Sequence, residues 1–315
     1  MRRYVRKPPR RIIMEAVATT AFGCMTGMLA DMTADDLRRL RARQHTMRRR
    51  PRPGWHWTEW ACEAAGTAIL LVGGLSAVCL DFGGGGWIAE HVPSASERLL
   101  LTGALFAASG SLVAVSPLGR RSGGHLNPAV TLAFRVTGHV HVHDLAGYWA
   151  GQLVGALVGA GIVALAWGDT ARSVAFGTTH PGRGMSVAGT FGLELVMTAM
   201  LIAVILGFVS SRRLMRWTPL AVWATVTLLV WQFAMRTGTS MNPARSAGPA
   251  VIALDAQDLW VYVAAPLLAA SLVATVARLV PRLRPVTARL FEDARYPSML
   301  GGDVGAVADA PLTRA

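Results

Sequence analysis

Two segments, SGGHLNPAVT at residues 122–131 and TGTSMNPARS at residues 237–246, each contain an Asn-Pro-Ala tripeptide. In each, Asn suits the position that caps a helix, and Pro suits the first helical position. Each tripeptide begins an apolar stretch, Asn127–Phe134 or Asn242–Leu254. Both stretches are shorter than the roughly 20 helical residues that cross a bilayer. The pattern therefore predicts two short re-entrant helices that line a cavity inside a membrane.

Six longer apolar stretches accompany these segments, and each approaches the roughly 17–25 residues that span a bilayer. They are Glu59–Leu80, Leu99–Val115, Leu145–Trp167, Gly189–Val209, Leu220–Met235 and Trp260–Leu279. Leu220–Met235 is short, and we expect it to extend by a few residues at either end. The 315-residue chain is 52% apolar and 16% charged, whereas soluble domains carry roughly 25% charge. The predicted fold is an all-α membrane protein with six transmembrane helices and two half-helices.

The basic charge of the chain is concentrated before the first span. The formal net charge is +13, of which residues 1–54 hold +10. We interpret residues 1–54 as a basic, largely disordered cytoplasmic tail, residues 55–285 as the membrane domain and residues 286–315 as a cytoplasmic C-terminal tail. Because the excess charge belongs to a tail, it does not predict binding of nucleic acid.

The loops on one side of the predicted spans are rich in arginine, and the N-terminal tail falls on that side. Its loop residues are Arg120, Arg121, Arg135, Arg212, Arg213, Arg216, Arg282, Arg284 and Arg289. The other side has a mixture of acids and arginines. The positive-inside rule therefore predicts that both termini are cytoplasmic. We expect a multi-pass protein of the plasma membrane.

A second repeated motif divides the chain into halves. The pattern Glu-x-x-x-Thr-Ala-x-Leu occurs at residues 63–70 and 194–201, once before each Asn-Pro-Ala. Three spans per half make the halves inverted repeats, with a site expected where they meet. Glu63 and Glu194 need partners inside a membrane. We favour a supporting role, in which each carboxylate accepts hydrogen bonds from the nearby re-entrant loop, over a proton relay.

These motifs closely resemble the signature loops of aquaporins and their relatives, the major intrinsic proteins. The resemblance covers about residues 57–285 and includes Gln152 and Pro266. It implies six tilted helices, two half-helices that meet at the channel centre, and a homotetramer with one pore per protomer. It also implies a pore formed around Asn127-Pro128-Ala129 and Asn242-Pro243-Ala244.

The same resemblance assigns roles along the pore. The two Asn amides donate to a passing molecule, and the two helix N-termini repel cations. Backbone carbonyls supply acceptors along the path, from Gly123, Gly124 and His125 and from Thr239, Ser240 and Met241. By resemblance, Arg245 lines the outer constriction, where its charge repels cations and its donors bind neutral solutes.

The other constriction positions depart from the water-selective pattern, which has an aromatic in the second span and a His in the fifth. Counting back from the motifs without gaps gives Ala107 and Val230, with Thr239 as a further member. Phe106 adjoins Ala107, and a one-residue slip would restore the aromatic. The resulting wider opening resembles plant nodulin-type channels for glycerol-like solutes and uncharged metalloid hydroxides. Ser246 and Ala250 stand where dedicated glycerol facilitators have an Asp and a basic residue, so the permeant stays open.

A histidine-rich loop precedes the third span. His139, His141 and His143 alternate beside Asp144, and an extended backbone would place all three on one face, suited to metal binding or pH sensing. We favour a polar turn before the helix. The three cysteines form no zinc or disulfide pattern, and we predict no metal, no cofactor and no enzymatic activity.

The predicted function is a passive channel for water and/or small uncharged solutes (glycerol, urea, metalloid hydroxides), which excludes protons and ions. The alternative is a secondary transporter, which also uses inverted repeats and broken helices. A transporter needs a buried ion-coupling site and shows saturable, ion-dependent flux. The only candidates for such a site are Glu63 and Glu194, which have the supporting role described above.

Overall fold

The structure, a computed structural model, describes residues 55–85 and 87–291. The predicted N-terminal tail of residues 1–54 and most of the predicted C-terminal tail lie outside the described residues. The helices, numbered in chain order, are α1 (Trp57–Phe82), α2 (Trp87–His91), α3 (Ala95–Val115), α4 (Pro117–Ser122), α5 (Pro128–Val136), α6 (Val142–Trp167), α7 (Asp169–Ser173), α8 (Val187–Val209), α9 (Thr218–Thr237), α10 (Pro243–Ala253) and α11 (Leu259–Leu279).

Within the described residues, six helices are long and apolar enough to cross a membrane: α1, α3, α6, α8, α9 and α11. Two shorter helices, α5 and α10, follow the two Asn-Pro-Ala tripeptides. The predicted all-α architecture is therefore confirmed. The fifth span runs over Thr218–Thr237 and extends the predicted Leu220–Met235 by two residues at each end.

The third span begins earlier than predicted, at Val142 instead of Leu145. Asp144 lies in its first turn, where an acid is favoured by the helix dipole. His141 occupies the N-cap position, and His143 is helical. The three histidines therefore do not lie along one extended strand, which was the arrangement that metal binding by the loop alone required.

The two halves of the chain pack as an inverted repeat. In each half the first span packs against the third, as α1 against α6 and α8 against α11. The half-helices cross over between halves, because α5 packs on α11 and α10 packs on α6. This exchange brings the N-termini of α5 and α10 together between the halves.

Small residues allow the close approach of α1 and α6. Gly147, Gly151, Gly155 and Gly159 recur every four residues along α6 and face α1. A Cβ atom on Gly155 would lie 2.1 Å from the carbonyl oxygen of Ala64. Membrane helices pack through such small-residue stripes because lipid supplies no hydrophobic force that would drive two helices together.

The arginine-rich loops meet at one end of the bundle, here called the basic end. Arg121 pairs with Glu59 at the start of α1, with Nε and Oε1 2.9 Å apart. Residues 286–290, which the sequence analysis places in the C-terminal tail, lie against this end. The Val286 N–H donates to the carbonyl oxygen of Val209, and the Leu290 N–H donates to that of Gly123, both at 2.9 Å.

Substitution of Gly155 tests the α1–α6 contact. The Gly155→Ala variant must separate the two helices, and overpacking of this kind costs about 1–3 kcal/mol of unfolding free energy. We expect a lower Tm for the detergent-purified protein in thermal unfolding. The matched control is Gly207→Ala in α8, where a Cβ meets no atom within 4 Å. Equal Tm values for the two variants would contradict the packing argument.

Candidate functional site

The tips of the two half-helices meet through a reciprocal pair of hydrogen bonds. The Asn127 Nδ2 donates to the carbonyl oxygen of Met241 at 2.9 Å. The Asn242 Nδ2 donates to the carbonyl oxygen of Leu126, also at 2.9 Å. Each amide therefore binds the residue that precedes the other Asn. An amide has two N–H groups, so each Asn retains one donor for a molecule beside the tips.

The same two side chains cap their own helices. The Asn127 Oδ1 accepts from the Ala129 N–H at 2.8 Å, and the Asn242 Oδ1 accepts from the Ala244 N–H at 3.0 Å. The capping fixes each side-chain amide and leaves its nitrogen aimed at the opposite tip. Pro128 and Pro243 follow at the first helical positions. The predicted cap is therefore present in each half, and the same Asn residue joins the two tips.

The loop before each tip has an unusual backbone. Leu126 has φ 52° and Met241 has φ 53°, in the left-handed region that non-glycine residues seldom adopt. This conformation turns the carbonyl oxygens of Leu126 and Met241 toward the opposite Asn. Such strain persists only where the surrounding structure enforces it.

Glu63 and Glu194 hold these loops. Glu63 accepts from the N–H groups of His125 at 3.0 Å and Leu126 at 2.7 Å. Glu194 accepts from the N–H groups of Ser240 at 3.0 Å and Met241 at 2.9 Å. Both carboxylates are fully buried. Hydrogen bonds to a charged acceptor are strong, so the two acids can enforce the left-handed turns.

Additional polar side chains complete each cradle. Ser122 Oγ donates to Glu63 at 2.6 Å, and Gln152 Nε2 donates to the other oxygen of Glu63 at 2.7 Å. Thr237 Oγ1 donates to Glu194 at 2.8 Å. The carboxylates are thus occupied by donors of their own half. That arrangement differs from an ion-coupling site, where a carboxylate faces a transported ion.

A cavity of about 250 Å³ passes the tips of the half-helices. Its lining reaches Gly177 and Thr178 at the end opposite the basic end, and Pro219 and Leu290 at the basic end. Most of the predicted pore and filter residues line it: Ala107, Gly124, His125, Asn127, Val230, Thr239, Ser240, Met241, Asn242 and Arg245.

Other predicted residues lie behind the cavity wall. Gly123 is not part of the lining, and its carbonyl oxygen accepts from the N–H of Leu290. The remaining members of the tripeptides, Pro128, Ala129, Pro243 and Ala244, are buried inside the half-helices. They shape the helix starts, whereas the two Asn residues line the cavity.

Arg245 is fixed beside an aromatic ring. Its side chain is 7% exposed, and its Nη1 donates to the carbonyl oxygen of Gly177 at 2.8 Å. The guanidinium carbon lies 5.2 Å from the ring centre of Phe106, within reach of a cation–π contact. Phe106 and Ala107 both line the cavity. The aromatic beside Arg245 therefore comes from Phe106, one residue from the position found by gapless counting.

Sequence reasoning did not find Gly177. This residue lies in a turn at Ala175–Gly177 and has φ 73°, with Ala175 and Phe176 also at positive φ. Its contact with Arg245 joins residues 68 positions apart. No sequence motif announces such a contact, since any residue can offer a backbone carbonyl.

The histidine loop lies away from the cavity. None of His139, His141 and His143 is among the lining residues. The loop is therefore separate from the conduit.

Burial lowers the pKa of His141. The charge of Asp144 opposes this shift, whereas His143 and Arg135 add to it.

Comparisons with known proteins identify the family of this chain. A family model described as Major intrinsic protein matches residues 53–277. The chain belongs to the major intrinsic protein family. Aquaporin-8 of Rattus norvegicus is 30% identical over 268 residues, which cover 81% of this chain and 95% of that protein. Aquaporin Z of Brucella melitensis is 36% identical over 162 residues, covering 49% and 71% of the two chains.

A solved structure supports the fold. The chain resembles an aquaglyceroporin from Plasmodium falciparum with a TM-score of 0.57 and 22% identity, over 70% of this chain and 95% of that one. As a major intrinsic protein, the chain is a passive multi-pass channel for water and small solutes. These relatives do not favour the alternative of a secondary transporter. Proteins of this family are generally non-enzymatic.

Replacement of Glu194 tests the loop support. The Glu194→Gln variant keeps the size of the side chain but replaces one acceptor oxygen with a donor that faces buried donors. An unsatisfied buried donor costs about 1–3 kcal/mol, so we expect a lower Tm and slower water flux in proteoliposomes.

The matched control for this change is Glu90→Gln, because Glu90 is exposed in α2. It should retain the Tm and the flux of the original protein. A Glu194→Gln variant with the Tm and water flux of the original protein would show that the carboxylate does not hold the second loop.

Proposed function

We propose that this channel conducts small uncharged solutes with hydroxyl or amide groups, such as glycerol, urea and metalloid hydroxides, as well as water. The observation that carries the proposal is the composition of the cavity beside Arg245. Phe106 lies beside Arg245, and the apolar Ala107 and Val230 line the same cavity as the polar Thr239. Among the described residues that line the cavity, the one histidine is His125, whose ring binds the carbonyl oxygen of Ala288 at the basic end.

A solute with a carbon edge and a hydroxyl edge matches this two-sided wall. Its carbon edge would lie against Phe106 and Val230 without losing hydrogen bonds to water. Its hydroxyls would meet Arg245, whose fork has several donors, and Thr239, whose buried Oγ1 has no hydrogen-bond partner within the described residues. Apolar pockets with a few placed polar groups recognise ligands in this way.

The centre of the channel accounts for the proposed exclusion of protons and ions. The N-termini of α5 and α10 both point at Asn127 and Asn242, so two positive dipole ends meet there. A cation would meet this barrier together with the charge of Arg245. A water molecule that accepts from both Asn amides has its hydrogens turned away along the pore, which interrupts proton hopping.

We further propose the organisation of the protein in its membrane. The channel domain comprises residues 55–285, and the basic end faces the cytoplasm of the plasma membrane. The domain assembles as a homotetramer with one conduit in each protomer. Large apolar side chains are exposed along the spans, among them Leu112, Leu165 and Leu228. They suit contact with lipid or with neighbouring protomers.

A filter substitution tests the choice of permeant. The Val230→His variant adds a bulky donor to the apolar wall and should narrow it toward a water-selective opening. We expect glycerol permeability to fall at least about tenfold, a barrier change of roughly 1.4 kcal/mol, and water permeability to fall much less. Stopped-flow light scattering of proteoliposomes, with water, glycerol, urea and boric acid, measures both.

The matched control is Val226→His, which places the same side chain in the cavity lining one helical turn away. In this control, the glycerol and water permeabilities should change by more similar factors.

An Arg245→Ala variant removes the fixed charge and should weaken the exclusion of cations. If water alone permeates the original protein faster than empty liposomes, the proposal that it conducts glycerol-like solutes is wrong.

A further inference from the structure

A second polar cluster lies at the basic end, where α1 and α6 begin. His56 occupies the N-cap position of α1, and His143 and Asp144 lie in the first turn of α6. One ligand atom from each of these three residues lies within 4.8 Å of the other two. None of them lines the conduit, and the channel function leaves the cluster without a role.

One carboxylate oxygen of Asp144 is well satisfied. Its Oδ1 accepts from Nδ1 of His56 at 2.7 Å and from Nε1 of Trp60 at 3.2 Å. The side chain of Asp144 is only 1% exposed. The Trp60 contact fixes the orientation of the carboxylate, as outer-shell hydrogen bonds do in metal sites. Nδ1 of His56 acts as a ligand once it releases its proton and exchanges its bond to Oδ1 for the cation.

The other atoms of the cluster are not satisfied. Within the described residues, Oδ2 of Asp144, Nε2 of His143 and Nε2 of His141 are buried and have no hydrogen-bond partner. Nε2 of His143 and Oδ2 of Asp144 face each other at 3.5 Å without forming a hydrogen bond. Buried polar atoms are nearly always paired, so this arrangement requires an explanation. All three carry lone pairs when the imidazoles are neutral, which makes them potential ligands of a cation.

We propose that His56, His143 and Asp144 bind a divalent transition-metal cation of the zinc class. Zn²⁺ holds nitrogen and oxygen ligands at about 2.0–2.2 Å, so tetrahedral neighbours lie about 3.3–3.6 Å apart. Nε2 of His143 and Oδ2 of Asp144 are separated by 3.5 Å. Two imidazoles and one carboxylate favour this class over Mg²⁺ or Ca²⁺, which take oxygen ligands.

His141 lies next to the proposed site. Its ring is parallel to that of His143, with the ring centres 5.4 Å apart. It can supply a fourth nitrogen after a small movement, or a water molecule can complete the coordination. The bound cation would join the start of α1 to the start of α6 and so anchor the chain at the point where the basic N-terminal residues precede the first span.

Zinc binding by the full-length protein tests the site. The protein is purified with an affinity tag free of histidine and titrated with Zn²⁺ in competition with a chelating dye. We expect one ion per chain and a Tm that rises with zinc. The His143→Ala and His56→Ala variants should each weaken binding by about 10–100-fold or more, while their water flux without zinc stays that of the original protein.

Two histidine variants serve as controls. His139→Ala changes the same loop, but His139 contacts Thr137. His180→Ala removes a histidine that lies 3.3 Å from Asp255 at the opposite end of the bundle. Both should bind zinc as the original protein does. Undiminished binding by His143→Ala and His56→Ala, or equal loss in His139→Ala or His180→Ala, would overturn the proposed site.

A different observation, the contacts of residues 286–290, carries a second inference. Besides the two backbone hydrogen bonds described above, Nε2 of His125 donates to the carbonyl oxygen of Ala288 at 2.7 Å. Arg289 Nη1 donates to the carbonyl oxygen of Arg120 at 2.8 Å. Ala288 and Leu290 are each 5% exposed, and Leu290 lines the conduit. These residues, here called the docked segment, are therefore held at the basic end of the conduit, which Leu290 lines.

We infer that the docked segment restricts permeation at the basic end, an inference that rests on the proposed channel function. Its backbone occupies the carbonyl of Gly123, which sequence reasoning had assigned to the permeant. It also holds the ring of His125, which lines the same conduit. An apolar Leu290 side chain at the mouth offers no hydrogen bond to replace those that a solute loses on entering.

Two truncations in proteoliposomes test this inference. A chain that ends after Pro285 lacks the docked segment, whereas a matched chain that ends after Phe291 retains it. We expect water permeability to rise severalfold only in the shorter chain. Since that truncation also removes core contacts, Leu290→Gly serves as a smaller change, with Leu290→Met as its control, and should show the same increase.

Equal permeability of the two truncated chains and of Leu290→Gly, all faster than empty liposomes, would overturn the restriction but leave the channel intact. If none of these proteins conducts faster than empty liposomes, the proposed function fails, and the inference fails with it.

Discussion

The reciprocal bonds between Asn127 and Met241 and between Asn242 and Leu126 are the constraint on which the rest of the structure depends. They join two half-helices that come from opposite ends of the bundle. A half-helix that ends inside a bilayer exposes N–H groups that lipid cannot satisfy. Here each end is capped by its own Asn and linked to the other tip, so irregular backbone is tolerated.

The supports of these tips explain why acids are buried in α1 and α8. A left-handed Leu126 or Met241 is strained, and neutral side chains would hold it weakly. Glu63 and Glu194 each bind two consecutive N–H groups of the strained loop. The electrostatic cost of a buried carboxylate is thereby offset by strong hydrogen bonds. The same arrangement in both halves positions the two half-helix tips in the same way.

The half-helices, the spans and the supporting acids were predictable because their signals are local or repeated. An Asn cap acts on N–H groups two or three residues ahead, and apolar length alone predicts a span. The constriction was less predictable, since Ala107 and Phe106 are neighbours and a gapless count does not show which ring packs beside Arg245. A polar turn was predicted for the histidine loop, and no local pattern relates that loop to His56, which lies 88 residues before Asp144.

The sequence by itself determined the all-α class, the six spans, the inverted repeat and the family, because these follow from hydrophobic length and from short motifs. Only the tertiary structure decided which distant groups meet: Gly177 with Arg245, His56 with Asp144, and Leu290 with Gly123. Each of these contacts joins segments separated by at least one span. The packing of helices sets such distances, and no local pattern of side chains records them.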